Sequence, residues 1–398
     1  MAANEVTITR ASQTRDYANT LGLLTRSVAK EIFKKSPPKA VLMQIMMGSQ
    51  RIVEDNRIFE WYEQDLDPKW ITCGVIGGST TAWTIALSND DCKLVELGMT
   101  IRKNITQVGH ITSVTRTTDL ASITVDSAAT FVVGDKVQVG AGVVEESSAE
   151  PTPRTRLPAK ITNQVATIRD AWGQSNWVDT DKMIAGKPRQ TENRDTCLLE
   201  HKIKLDIEAW NSKATATQFT QNSGNINWTS GILEQVVTNR AICTNGNLTW
   251  EQLTTVAQEY DRLMDSANPY MFMSRATGAI LDIVAFQKTS PNNFQAVGDE
   301  FGVHVKKLVL GNKSYKCVIV DHWAYGLGQH ILAIDMKHLT LRSTKDQKSG
   351  SLRWMIETMR GMDITGVDGS TGCVLSELGV KVENEEGAWM MTGITNAG

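Results

Sequence analysis

One stretch limits the folds open to this chain more than any other: Glu192 to Trp210, ENRDTCLLEHKIKLDIEAW. Leu199, Ile203, Ile207 and Trp210 follow at steps of four, four and three, one stripe of a 3.6-residue repeat. Leu198 and Leu205 widen the stripe, while Glu192, Arg194, Asp195, Glu200, Lys202, Lys204 and Glu208 cover most of the remaining surface. The spacing predicts a long amphipathic helix with His201 on its exposed flank. Upstream the chain reads as extended, turn-rich and poor in core. Downstream it reads as a compact α+β body. Taken alone, the stretch fits an ordinary surface helix.

The 398 residues suffice for two or three domains. With 41% hydrophobic and 21% charged residues the chain is expected to fold. A formal net charge of −3 argues against nucleic acid or a membrane surface as the main partner. Cys73, Cys92, Cys197, Cys243, Cys317 and Cys373 form no CxxC pair and no Cys/His cluster with zinc-ligand spacing, and read as reduced thiols. The first twenty residues lack the apolar segment of a signal peptide, and no apolar run approaches the ~20 residues of a membrane span. A protein made and folded in cytoplasm is expected.

Taken in order, residues 1–40 are polar and basic, with seven Lys/Arg against three acids, a local net of +4. Leu21, Leu23, Leu24, Val28 and Ile32 predict a short helix that ends at Ser36-Pro37-Pro38. Residues 40–47, AVLMQIMM, must pack somewhere, and Ile58 to Leu66 is strand-like with two large aromatics. Residues 70–150 are rich in Thr, Val, Ile and Gly in short alternating runs, with Thr118-Asp119 and Gly134-Asp135 as turns, and predict a small antiparallel β-module. Residues 147–158, SSAEPTPRTRLP, form a linker, and Ile161 to Trp177 is extended. After the long helix, residues 213–230 read as a polar loop and Gly231 to Val237 as a return to apolar packing.

Thr249-Trp250-Glu251-Gln252 is a capping box opening a helix with Leu253, Val256, Ala257 and Tyr260 on one face. Tyr270 to Met273 is a buried strand, and Ser274 caps a further helix with Ile280, Leu281, Val284 and Phe286 inside. Val303 to Ile319 reads as a hairpin turning at Gly311 to Ser314. Ile331 to Ile334 is a strand, Met355 to Thr365 is strand or helix, and Cys373 to Val382 with Ala388 to Ile394 reads as a closing pair of strands.

A search for chemistry finds no HExxH, no GxSxG, no strand-borne GxGxxG and no Walker loop. Gly77-Gly78-Ser79 lacks the GK[ST] of a phosphate loop and reads as turn glycine. Asp368 to Gly372 has Asp where a nucleophile elbow needs Gly. Asp321, His322, His330 and Asp335 suggest a metal cluster, although histidines so spaced are usually solvated or hydrogen-bonded. An enzyme with a β-barrel accessory domain remains the alternative from another functional class.

The ordering resembles one branch of the tailed-phage major capsid proteins, the branch with a β-domain inserted in the extended loop. Phe59-Glu60-Trp61 with Asp65-Leu66 is similar to its aromatic Glu-Trp motif, with one extra residue before the Asp. Gly134-Asp135 is similar to its glycine-aspartate turn. Asn163 to Ile168 is similar to an Asn-Tyr-Thr-Gln-Ile element, with Tyr and Thr absent, and Glu192 to Glu208 is similar to its spine helix. The resemblance implies an α+β capsid fold: an N-terminal arm at 1–50, an extended loop at 51–190 with the inserted β-domain at about 70–150, a spine helix and peripheral domain at 191–244, an axial domain at 245–340, and C-terminal strands at 341–398 returning to the peripheral domain. It implies self-assembly into hexamers and pentamers of an icosahedral shell around double-stranded DNA, in a virion assembled in the host cytoplasm. Portal, decoration or scaffolding proteins are further implied partners, with DNA bound non-specifically on the inner surface and no membrane. No catalytic, cofactor-binding or metal-ligating residue and no cofactor is implied. A compartment-forming shell of the same fold with protein cargo is the near alternative. The residues point the same way, because a two-stranded loop cannot bury its own apolar face. Its tryptophans and the AVLMQIMM patch are then expected to need a neighbouring subunit.

Overall fold

The structure is a computed structural model. It describes residues 39–46, 51–64, 70–74, 76–79, 82–87, 95–116, 121–126, 131–143, 158–175, 189–214, 219–221, 224–288, 294–300, 303–311, 313–345, 352–360 and 369–398. The helix expected at Leu21 to Ile32, the Thr118-Asp119 turn, Asp65-Leu66 and all but the last residue of the 147–158 linker lie outside them. The chain divides into two compact units, Met1–Glu60 with Thr162–Gly398, and Trp61–Ile161. It passes between them on two strands that pair with each other, Ile58–Glu63 and Ala159–Gln164.

The larger unit holds helices α1 (Val41–Met46), α2 (Arg189–Asn211), α3 (Ile232–Gln235), α4 (Trp250–Tyr260) and α5 (Arg275–Lys288). Its first sheet runs Ile52–Glu54, Leu339–Thr344, Gly369–Val382, Ala166–Ser175, with Ile356–Arg360 also paired to the Gly369–Val382 strand. Helix α2 lies across Ala166–Ser175 and Gly369–Val382. The predicted helix is there, and its predicted stripe is buried in part: Leu205 and Trp210 are fully buried as expected. Cys197, His201, Leu205 and Ala209 are buried at i, i+4 spacing, and Ile207 is 37% exposed. His201 and Asp206 are polar residues on the buried side, so a reading by hydropathy alone rotates the helix away from them.

The second sheet runs Arg240–Ile242, Trp389–Thr392, His330–Ile334, Tyr270–Met273, Lys313–Ile319, Val303–Leu310, Phe294–Glu300. Its central strands are continuous apolar runs because both faces are covered. Side chains alternate across a strand. Phe272, Val318, Leu332, Ile334 and Met390 therefore join the core that contains α1 and the end of α2. Met271, Met273, Cys317, Ile331, Ala333 and Met391 join the core beneath α4 and α5. Both helices start as expected. Thr249 and Gln252 form the full capping box, and the Ser274 hydroxyl accepts from the Thr277 amide at 3.0 Å. Leu281 and Val284 are buried, but Phe286 is 84% exposed. Position 286 lies about 200° round the helix from 284, which puts it on the outer face.

The hairpin is present and tighter than expected, with Leu310 opposite Lys313 and Gly311 at φ +57. The polar 213–230 segment contains a small hairpin, Phe219–Gln221 against Gly224–Ile226. Met355 to Thr365 resolves to a strand at Ile356–Arg360, with residues 361–365 lying outside the described residues. The two C-terminal strands do not pair with each other. Gly369–Val382 belongs to the first sheet and Trp389–Thr392 to the second, and the turn at Asn384 (φ +51) and Glu385–Gly387 carries the chain from one to the other.

The AVLMQIMM patch also departs from expectation. Its helix α1 buries Val41, Leu42, Met43, Ile45 and Met46 against Leu205, Ala209 and Trp210 of the same chain. Phe59, Trp61 and Trp172 are buried as well. The expectation that they need a neighbour is therefore corrected for the patch, Trp61 and Trp172, while Trp70 of the same loop stands 41% exposed.

In the smaller unit seven antiparallel strands run Trp70–Thr72, Lys136–Gly142, Met99–Arg102, Val108–Arg116, Ala121–Asp126, Ala82–Leu87, Ile76–Ser79. One face carries the core of Ile71, Ile85, Ile101, Ile111, Ile123, Val125 and Val137. Gly77-Gly78-Ser79 lies in the edge strand and not in a turn. Gly134 does turn the chain, at φ +90, with the Asp135 carboxylate accepting from the Val132 amide.

Candidate functional site

Beneath α2 the sequence brings together residues 31 and 175 positions apart. Asp170, on the strand Ala166–Ser175, stands 2.7 Å from His201 Nδ1, and Ser376, on Gly369–Val382, stands 2.9 Å from His201 Nε2. That is the connectivity of a Ser-His-Asp hydrolytic triad. The environment makes it a clamp instead. His201 and Ser376 are wholly buried, so neither can meet a substrate. The Ser376 oxygen already accepts from the Met355 amide at 3.0 Å. An ionised Asp170 can only accept, which puts a proton on Nδ1. The Ser376 hydroxyl then donates to Nε2, and both buried ring nitrogens are satisfied.

Lys204, one turn along, also bonds Asp170. Burial works to raise the Asp170 pKa, but the Lys204 ammonium and His201 outweigh it and hold the carboxyl below its usual range. The Asp170 bond raises the Lys204 pKa. A neighbouring packing contact completes the clamp: Trp172, opposite Gly372 across the strands, packs with Cys197 and Val374. A Cβ at Gly372 would fall 2.3 Å from the indole, so only glycine admits the ring there.

A second polar cluster holds α1. Asp206 is fully buried and accepts from the Met43 amide at 2.9 Å. Burial pushes its pKa up to about 7, against the pull of the Met43, Leu42 and Val41 amides. His322 Nδ1 lies 3.4 Å from its other oxygen. Burial lowers the His322 pKa to about 4, against the pull of Asp321, and that of His330 to about 4 as well. The imagined metal set does not converge. His322 faces Asp206, His330 packs 4.3 Å from the Trp323 ring, and Asp335 accepts from the Lys337 amide. Among the described residues no three His, Cys, Asp or Glu are placed to hold a metal.

A cavity of about 370 Å³ opens between α5 and the sheet, lined by Met273, Gly278, Leu281 and Cys317. The ion pairs Arg275–Asp321 and Lys306–Asp282 join side chains of its lining. Burial pushes the Cys317 thiol up to about 12, which keeps it protonated and unreactive. Among the described residues no helix is long and apolar enough to cross a membrane. What the geometry builds is a larger unit in which α1 and the long helix α2 are held by buried polar contacts.

A family model described as SU10 major capsid protein matches residues 7–395. The chain belongs to that family. This capsid protein shares its fold with the capsid of a native GTA particle, at a TM-score of 0.50 and 10% identity over 97% of this chain and 99% of that one. It is also similar to a structure from Mycobacterium phage Bobi, at 0.47 and 9% over 95% and 98%. A third similar structure is the holo-SrpI encapsulin complex of Synechococcus elongatus PCC 7942, at 0.44 and 11% over 61% and 79%. A comparison with curated protein sequences returns no match. The capsid protein is thus a virion shell subunit of α+β fold.

His201, Asp170, Ser376 and Asp206, which fix the helix, were not visible as a set in the sequence. The available signal was a His and an Asp, five residues apart, within an otherwise apolar buried stripe.

Proposed function

We propose that the chain assembles into hexamers and pentamers that close into an icosahedral shell around double-stranded DNA, in the cytoplasm of a host cell. The family match over residues 7–395 carries this reading. In this reading residues 1–50 act as the arm, 51–190 as the extended loop with its inserted β-domain, 191–244 as spine helix and peripheral domain, and 245–340 as the axial domain. Residues 341–398 are the strands that return to the peripheral domain. The separation of Trp61–Ile161 as its own unit, with a closed core, supports an insertion there.

The role is mechanical and calls for no reaction. Each copy makes several modest contacts, which become strong when all must break together. Near-neutral charge, −3 over the chain, limits repulsion between identical neighbours. Portal, decoration or scaffolding proteins and non-specifically held DNA complete the particle. Electron microscopy of the purified chain, with nuclease digestion of its content, tests this. Closed shells protecting DNA are expected. A small oligomer would return the reading to an enzyme, and packaged protein to a compartment.

A further inference from the structure

We infer that the cavity under the first turns of α5 binds a small aliphatic carboxylate, its chain among Met273, Leu281 and Ile319 and its charged end at Lys39. The inference goes beyond the shell reading and does not depend on it. The strands Tyr270–Met273 and Lys313–Ile319 run parallel, with Met273 opposite Ile319 at their carboxyl ends. Helix α5 starts two residues beyond Met273. The cavity of about 370 Å³ lies there, lined by both strand ends and by Gly278 and Leu281 of the helix. Space beyond the carboxyl ends of parallel strands, beside a helix N-terminus, is a recurrent place for ligands, and the volume is that of a small-molecule site.

Gly278 is a second, independent sign of a ligand. A glycine within a helix weakens it relative to alanine. Packing requires one only where a Cβ would strike a neighbour, and the backbone requires one only at positive φ. Neither holds at 278. A Cβ there would meet Ile319 Cδ1 at 3.6 Å, Met273 Sδ at 3.7 Å and Ile319 Cγ1 at 3.8 Å, all ordinary contact distances. Met273 and Ile319 line the cavity, so the glycine leaves open a space that a side chain could have filled.

The lining selects the chemistry of the occupant. Its apolar part is Val41, Met273, Leu281, Cys317 and Ile319, with no aromatic ring among the described residues. Nothing there offers a stacking face, and a thioether beside branched aliphatics suits a flexible hydrocarbon chain. Its charged part is three cations, Lys39, Arg275 and Lys306, against two acids, Asp282 and Asp321. Arg275 bonds Asp321 at 3.0 Å and Lys306 bonds Asp282 at 2.7 Å, so both acids are taken. Lys39 is exposed and pairs with no acid among the described residues. One positive charge is therefore in excess, and the N-terminal end of α5 adds to it. A bare hydrocarbon would leave Lys39 unused, and a compact polyanion would leave the apolar walls uncovered. An apolar chain with a single negative end matches both halves. Such an occupant touches Lys39 and Val41, at the start of α1, and α5 at once, so its binding adds to the seating of α1.

The test is titration calorimetry of the unassembled full chain, with the thermal midpoint followed in parallel. The probes are octanoate, octan-1-ol as the uncharged chain, and octylamine as the chain of opposite charge. Wild type is expected to bind one octanoate per chain, with a midpoint that rises with octanoate concentration, and to bind octylamine about tenfold more weakly. Lys39→Glu should weaken octanoate roughly tenfold and leave octan-1-ol unchanged. Gly278→Leu fills the cavity and should abolish octanoate binding. Gly278→Ala, whose methyl group fits at contact distance, should weaken binding without lowering the midpoint of the ligand-free chain, and so keeps the test valid if the leucine variant unfolds. Absent or unsaturable octanoate binding overturns the inference, as does binding indifferent to Lys39→Glu or to Gly278→Ala. None of these results bears on assembly, so the shell reading is judged separately.

Discussion

Removing the His201 imidazole tests whether the buried clamp, rather than apolar packing alone, seats the long helix. In His201→Ala the fully buried Ser376 hydroxyl loses its acceptor, and Asp170, whose side chain is 14% exposed, loses one of two donors. A buried polar group left unpaired costs about 1–3 kcal/mol. Asp170 keeps Lys204, so its share falls at the low end. The space vacated by the ring adds a cavity cost, which brings the total to about 3 kcal/mol. Lys204 is half-exposed, and Lys204→Met is expected to cost under ~1 kcal/mol. Urea unfolding of the unassembled chain, followed by tryptophan fluorescence, measures both. Ser376→Ala closes a double-mutant cycle with His201→Ala, and a coupling of about 1–2 kcal/mol is expected between groups in direct contact. Additive single effects, or a His201→Ala cost below ~0.5 kcal/mol, would refute the clamp.

The two buried histidines and Asp206 predict opposite pH dependences. His330 titrates near 6.5 when unfolded and about 4 when folded, so below pH 6.5 the unfolded chain binds a proton the folded chain refuses, and stability is lost as pH falls. His330→Gln should flatten the stability profile relative to wild type by about 1.4 kcal/mol per pH unit between about pH 4 and 6.5. Asp206 does the reverse. Its folded pKa of about 7 lies above the unfolded 3.8, so its contribution favours folding as pH falls through that window, and Asp206→Asn should steepen the profile by a similar amount. Parallel denaturation series at several pH values check both, and unchanged slopes would contradict the burial argument. Gly372→Ala drives a methyl group into the Trp172 ring and should cost about 1–3 kcal/mol with a shifted tryptophan emission; a neutral change would show that the indole has room to move.

What the sequence made legible were the features whose signals are local. The capping box at Thr249–Gln252 needs only four consecutive residues, and the hairpin closed at Gly311 needs only alternation around a turn. Where the partner is distant, periodicity misled. His201 looks like a solvent-facing flank until Asp170 and Ser376 are brought beside it. AVLMQIMM announces burial but not in whose core, and it is Asp206, far along the chain, that fixes α1 to the same body. The central strands of the second sheet read correctly as buried, yet only the pairing shows that their two faces serve different cores. For the family, the ordered run of weak motifs told more than burial did: the one physical argument offered for assembly, uncovered apolar chain in the front half, failed at α1, Phe59, Trp61 and Trp172.

Assembly itself is tested most directly by sedimentation velocity of the purified chain across a concentration series. Free subunits or capsomers are expected to give way, above a threshold concentration, to one fast-sedimenting boundary of uniform closed particles. A chain that stays monomeric or a small fixed oligomer at every concentration would contradict it.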